Sequence, residues 1–143
     1  RPPRSTLFPY TTLFRSMREI DNRAAQNNRV IRCLLQLHVA DEETKSGFSP
    51  DECREFLDSG NWKKYPNVEI VGVMGMATFT EDAEQVRSEF KQIKALFEEF
   101  KANHFADNDN FKEVSMGMSN DYKIAVEEGA TIIRVGTLIF GSR

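Results

Sequence analysis

Cysteine is scarce: Cys33 and Cys53 are the only two in 143 residues. They fall in no CxxC or metal-ligand spacing and build no disulfide framework, so reduced thiols in a cytosolic protein are expected. No apolar run approaches the ~20 residues of a membrane span, so a membrane is not expected as a partner. Positive charge is thin as well. Three of the 19 Lys and Arg (Arg1, Arg4 and Arg15) sit in the first 16 residues, which hold no acid, leaving 16 against 22 acidic residues and a net charge of -6 thereafter. Nucleic-acid phosphates need clustered Lys and Arg, so nucleic acid is not expected either. What is present, 40% hydrophobic and 10% aromatic residues, is enough for the packed core of a single domain.

The first 16 residues, RPPRSTLFPYTTLFRS, hold three of the five prolines and show no helical or strand period. They lack the apolar stretch of a signal peptide, and the composition changes abruptly at Met17. The segment resembles translated adaptor sequence and is expected to be non-native, with a disordered arm as the alternative. The domain proper is read as residues 17–143.

From Met17 the chain alternates helix-like and strand-like segments. Residues 17–28 read as the end of a helix and 29–40 as a strand. After the polar loop DEETKSGF, Ser49 with Pro50 and Glu52 forms a capping box that opens a helix running to about Gly60. VEIVGVMGMAT (68–78) is a β-branched strand. Thr80 opens the longest helix, 81–104, with an apolar stripe at Ala83, Val86, Phe90, Ile93, Phe97 and Phe100. FKEVSMGMS holds a short strand, Asn120 or Ser119 caps a helix ending at Gly129, and TIIRVGTLIFG forms a fourth strand. Strands buried on both faces and linked by helices predict an α/β parallel sheet. A doubly wound sheet and part of a (β/α)8 barrel both fit, although a whole barrel needs about 250 residues.

In such folds ligands gather at the carboxyl ends of strands. Ser115 to Ser119 offers hydroxyls and a backbone freed by Gly117, and Ser119 and Asn120 stand where a helix begins, a place that favours anions. Gly136 and Thr137 offer a second close backbone approach and a hydroxyl. Each element alone is also what an ordinary cap or turn would contain. Strand alternation puts Arg134 on the same face as Gly136. A buried arginine there must meet a ligand acceptor or a structural carboxylate, since an unpaired buried charge costs several kcal/mol. Met74, Met76, Met116 and Met118 form either a soft wall for a flat ligand or core filler. His38 reads as a packing or hydrogen-bonding residue, and His104 and Lys45 as solvated.

SMGMSNDYKIAVEEGATIIRVGTLIFGSR, together with VGVMGMATFTED and LLQLHVADEETKSGFSPDE, resembles the pyridoxal phosphate homeostasis family, the YggS-like proteins, over residues 17–143. The resemblance implies a single alanine racemase-like (β/α)8 TIM barrel that binds pyridoxal phosphate in the cytoplasm without catalysing a reaction. It also implies site positions. Ser119, Gly136 and Thr137 match phosphate-binding positions, Ser115 and Met118 lie in the same SMGMS motif, and Arg134 matches the arginine facing the pyridine nitrogen. An arginine only donates hydrogen bonds, so the ring nitrogen stays unprotonated and is a poor electron sink, which disfavours amino-acid turnover.

The family's Schiff-base lysine lies on a first strand in a segment like AVSK, followed by a signature like GENY, and neither occurs here. The chain therefore reads as the C-terminal half of the barrel, about four β/α units. Expected partners are the cofactor, pyridoxal phosphate-dependent apoenzymes, and further copies of the chain paired through the exposed barrel edges at Val30 to His38 and Ile132 to Ile139. The alternatives are a racemase or decarboxylase barrel using the same cofactor, and a phosphate-binding barrel that takes no pyridine.

Overall fold

A computed structural model of the chain describes residues 16–42 and 47–136. Arg1 to Arg15, Lys45, Thr137 and the rest of the fourth predicted strand lie outside the described residues. Residues 16–26 are helical (α1), and the first strand, β1, is Ile31–Leu37. Helix α2, Pro50–Ser59, begins with the predicted capping box: Ser49 Oγ accepts from the Glu52 N–H (3.2 Å) and Glu52 Oε1 accepts from the Ser49 N–H (3.0 Å). It ends at Gly60, in the left-handed conformation, and a short 3-10 turn, Asn61–Lys64, follows. Strand β2 is Val68–Gly75 and helix α3 is Ala83–His104.

Helix α3 starts two residues later than the sequence predicts because Asp82, not Thr80, is its cap. The Asp82 carboxylate takes the orphan N–H groups of Glu84 and Gln85 (3.1 and 3.2 Å). Its apolar stripe therefore begins at Val86, gains Leu96, and leaves Ala83 exposed.

Strand β3 is Glu113–Ser115 and helix α4 is Tyr122–Glu127. All strand pairs are parallel, in the order β1-β2-β3. Residues 131–134 extend the sheet beyond β3, but not as the predicted fourth strand. Their one bridge to β3 among the described residues is Ser115 to Ile132, and Gly136 has helical backbone. The ladder is interrupted where Thr131 inserts its side chain: Thr131 Oγ1 accepts from the Val114 N–H (2.8 Å), while the N–H groups of Thr131 and Ile132 both converge on the Val114 carbonyl (2.8 and 3.2 Å).

Sequential strand order, with α2, α3 and α4 on one face, decides between the two predicted architectures. Helix α2 is clamped to α3 by Arg54 and Glu99 (Nε–Oε2 2.8 Å, Nη2–Oε1 3.1 Å). Helix α3 is clamped to α4 by Arg87, which pairs with Glu128 (2.5 Å) and Glu127 (3.3 Å). The helices thus stand side by side along one surface of the sheet, the arrangement of a barrel wall; a doubly wound sheet has helices on both faces.

The core lies between these layers. Leu35, Leu37, Val73 and Val114 of the sheet meet Phe56, Leu57, Phe90, Ile93 and Phe100 of the helices, all buried. Phe111 closes one end, stacked on Phe97 (5.1 Å, 5°) and on Phe105 (4.1 Å, 7°). The opposite sheet face carries Gln36, Met74 and Ser115 in one row and the cross-strand pair Arg32–Glu69 (3.6 Å) in another. At the outer edge of β1, Phe48 takes the backbone groups of Gln36 and His38 (2.8 and 2.7 Å). Those of Arg32 and Leu34 meet no backbone partner among the described residues.

Candidate functional site

The carboxyl ends of the three strands open into a cleft of about 200 Å³. Gln36, Leu37, His38, Ala40 and Glu42 wall it after β1, Met76, Ala77 and Phe79 after β2, and Gly117, Met118, Asn120 and Asp121 after β3. Parallel strands bring every βα turn to one end, so residues 80 positions apart share one wall.

The β3 turn is shaped by Gly117, whose φ of +105° belongs to the left-handed region. A Cβ there would lie 2.6 Å from the Ala125 Cβ, so the turn packs directly on α4. Two backbone bonds then lace the turn to the next segment: Met116 N–H to the Ile132 carbonyl (3.1 Å) and Arg134 N–H to the Gly117 carbonyl (2.9 Å). SMGMS and RVG, far apart in a linear reading, are thereby hydrogen-bonded neighbours.

The predicted site residues occupy different places in this frame. Met118 lines the cleft and is largely exposed, and Gly117 stands beside it. Ser115 is buried in β3, below the cleft. Ser119 is half-buried in the turn after Met118. Arg134 is exposed, contrary to the buried position that strand alternation predicts, because residues 133–135 have left the ladder. Its guanidinium forms no ion pair among the described residues, so the structural carboxylate partner offered by the sequence is not realised there. Gly136 is exposed, with open space where a Cβ would stand, and Thr137 lies outside the described residues.

The α4 cap differs from the sequence reading. Asp121 occupies the N-cap position, not Ser119 or Asn120, and makes no side-chain cap bond. Its carboxylate reaches back to accept the Met118 N–H (2.7 Å), so that donor is already engaged. Of the four methionines, Met76 and Met118 face the cleft and Met116 is core. His104 is not solvated as predicted: its Nε2 lies 3.1 Å from Asp58 Oδ1 and its side chain is 18% exposed.

Sequence reasoning missed Glu42, Phe79, Ala77 and Asp121, and assigned His38 to packing although it lines the cleft. The available signal was position, since each stands within a few residues of a strand's carboxyl end. Phe79 is 85% exposed at the rim, with its N–H held by Glu42 Oε1 (3.0 Å).

Consecutive parallel β/α units with a cleft at the strand carboxyl ends define a segment of a (β/α) barrel. The chain belongs to the alanine racemase N-terminal domain family, whose model matches residues 12–143. It is 39% identical over 125 residues to the pyridoxal phosphate homeostasis protein of Aquifex aeolicus, covering 87% of this chain and 53% of that one. Its fold matches PipY of Synechococcus elongatus PCC7942 solved without PLP (TM-score 0.76, 31% identity, 87% of this chain and 56% of that chain). It also matches PipY with PLP bound (TM-score 0.72, 30% identity, 87% and 55%). The chain spans about half the length of the curated relatives it matches. The resemblance read from SMGMSND and IRVGTLIFG, and the alanine racemase-like partial barrel it implied, are both borne out.

Proposed function

We propose that this chain supplies one half of a pyridoxal phosphate-binding barrel that holds the cofactor and makes it available to pyridoxal phosphate-dependent apoenzymes without turning over amino acids itself. The observation that carries this is the lacing of Arg134 to the Gly117 turn, whose Gly117 and Met118 line the strand-end cleft. Support comes from the relatives, which are named for pyridoxal phosphate homeostasis, and from the PLP bound to PipY.

The residues present fit such a group. Met76, Met118, Ala77 and Leu37 give apolar walls for a flat ring, and the open backbone at Gly136 admits close approach. Because Asp121 occupies the Met118 N–H, the phosphate is assigned to Ser119 and the Gly136–Thr137 backbone and hydroxyl. Arg134, exposed and without a carboxylate partner among the described residues, faces the pyridine nitrogen in this reading. Ser115 braces the turn from below. When bound, the cofactor supplies an aldehyde that reacts with amines and a ring that withdraws electrons. An arginine beside the ring nitrogen cannot give up a proton to it, which keeps that withdrawal weak. The same site on a phosphate-binding barrel that takes no pyridine would leave Arg134 without a task.

Absorbance-monitored retention of pyridoxal phosphate tests the assignment. Arg134→Ala and Ser119→Ala each remove a hydrogen bond to a charged or polarised ligand, worth about 1.5–3 kcal/mol, so each is expected to loosen retention at least tenfold. Unchanged retention in both variants would remove the site. Self-association through the edge at Arg32 and Leu34 belongs to the same proposal, and sedimentation showing one concentration-independent monomer would refute it.

A further inference from the structure

Glu89 is a carboxylate on α3 that is only 7% exposed, and no Lys or Arg pairs with it among the described residues. It is satisfied by neutral donors alone. Thr78 N–H donates to Oε1 (2.6 Å), Thr78 Oγ1–H to Oε2 (2.7 Å) and Gln85 Nε2–H to Oε2 (3.2 Å). The Thr78 hydroxyl oxygen also accepts the Asp41 N–H (2.7 Å). That hydroxyl gives its one hydrogen to Glu89 and receives Asp41 on a lone pair, so it links the two. Three donors thus end on the two oxygens of one carboxyl group, which accepts at both.

The relay joins the loop after β1 to the loop after β2. Both are cleft walls: Ala40 and Glu42 flank Asp41, and Ala77 and Phe79 flank Thr78. A second bond, Phe79 N–H to Glu42 Oε1, ties the same two loops farther out. Burying a carboxylate without a cation is unfavourable, so its place here points to control of geometry rather than to added stability.

We propose that Glu89 is a positioning residue for the cleft: acting through Thr78, it fixes the spacing of two loop walls against the flat face of a pyridine phosphate. This rests on the pyridoxal phosphate reading above. Glutamine keeps the size but brings an N–H₂ toward donors that need an acceptor, so Glu89→Gln should break the relay. Thr78→Val should break it from the other side, and Thr78→Ser should preserve it.

The test measures amide hydrogen exchange of the unliganded chain at Asp41 and Thr78, together with the pyridoxal phosphate dissociation constant. Arg54→Ala serves as a control that loosens α2 from α3 without touching either loop. Glu89→Gln and Thr78→Val are expected to speed exchange at Asp41 and weaken binding about tenfold, with Thr78→Ser and Arg54→Ala binding as the unsubstituted chain does. Faster exchange with unchanged affinity overturns the positioning role, as does equal weakening by Arg54→Ala, which would mark a general stability effect. Should Glu89→Gln fail to fold, Thr78→Val against Thr78→Ser decides the matter. If the unsubstituted chain binds no pyridoxal phosphate, the cofactor reading fails first and the positioning role with it; that result is distinct from every outcome in which binding is present.

Discussion

Cys53 shows how burial turns a common side chain into a pH-dependent element. It is wholly buried among Phe48, Phe56 and Leu57, and that burial pushes its thiol from the usual 9.0 up to about 12. A raised acid pKa means that the unfolded chain loses this proton first. Stability is therefore intact below pH 9 and falls as pH rises from about 9 toward 12, with a slope approaching 1.4 kcal/mol per pH unit. Thermal melts across that range should show a steeper decline for the unsubstituted chain than for Cys53→Ala, and parallel declines would show that the thiol is not held protonated. Single residues also mark where sequence patterns stop being informative. Arg134 is recognisable from the RVGT motif, but its exposure is not, because residues 133–135 leave the ladder just beyond the Ser115–Ile132 bridge, which alternation along the strand does not reveal.

Among the elements, the α2–α3 clamp is the clearest exposed contact with a predictable cost. Arg54 donates two bonds to Glu99 and a third to Asp51 (2.8 Å). The bonded guanidinium holds Glu99 below the usual carboxylate range. A lowered carboxylate pKa contributes stability at pH above the ordinary value, and that contribution is lost as pH falls through the folded value. Both side chains are more than a third exposed on average, so solvent screening limits the effect to about 0.5–1 kcal/mol. Denaturant melts of Arg54→Ala should show that loss at pH 7 and little difference near pH 3; an equal loss at both would assign it to packing of the arginine stem.

The elements also show which parts of a sequence can be read directly. The capping box at Ser49, the left-handed ends at Gly60 and Gly129, and most of the stripe on α3 depend on residues within one or two turns, and all are found. The α3 start and the α4 cap were misplaced because several caps compete locally. Asp82 outcompetes Thr80 by taking two amides, and Asp121 turns away from its own helix to hold the Met118 N–H. Nothing in periodicity reveals the relay from Asp41 through Thr78 to Glu89, whose partners are up to 48 positions apart and meet only after the strands pair.

At the scale of the molecule, sequential parallel strands with helices along one face make a curved wall whose carboxyl end holds the cleft. The residues that carry the proposed function come from different units of that wall, joined by backbone bonds between the Gly117 turn and residues 132–134. In the proposed function, pyridoxal phosphate binds at this junction. The most direct test is amide chemical-shift mapping of the labelled chain titrated with pyridoxal phosphate. The expected result is a set of saturable shifts confined to Met76–Phe79, Gly117–Asn120 and Arg134–Gly136, lost in Arg134→Ala. Saturable shifts centred elsewhere, for instance along α2, or no shifts at all, would contradict it.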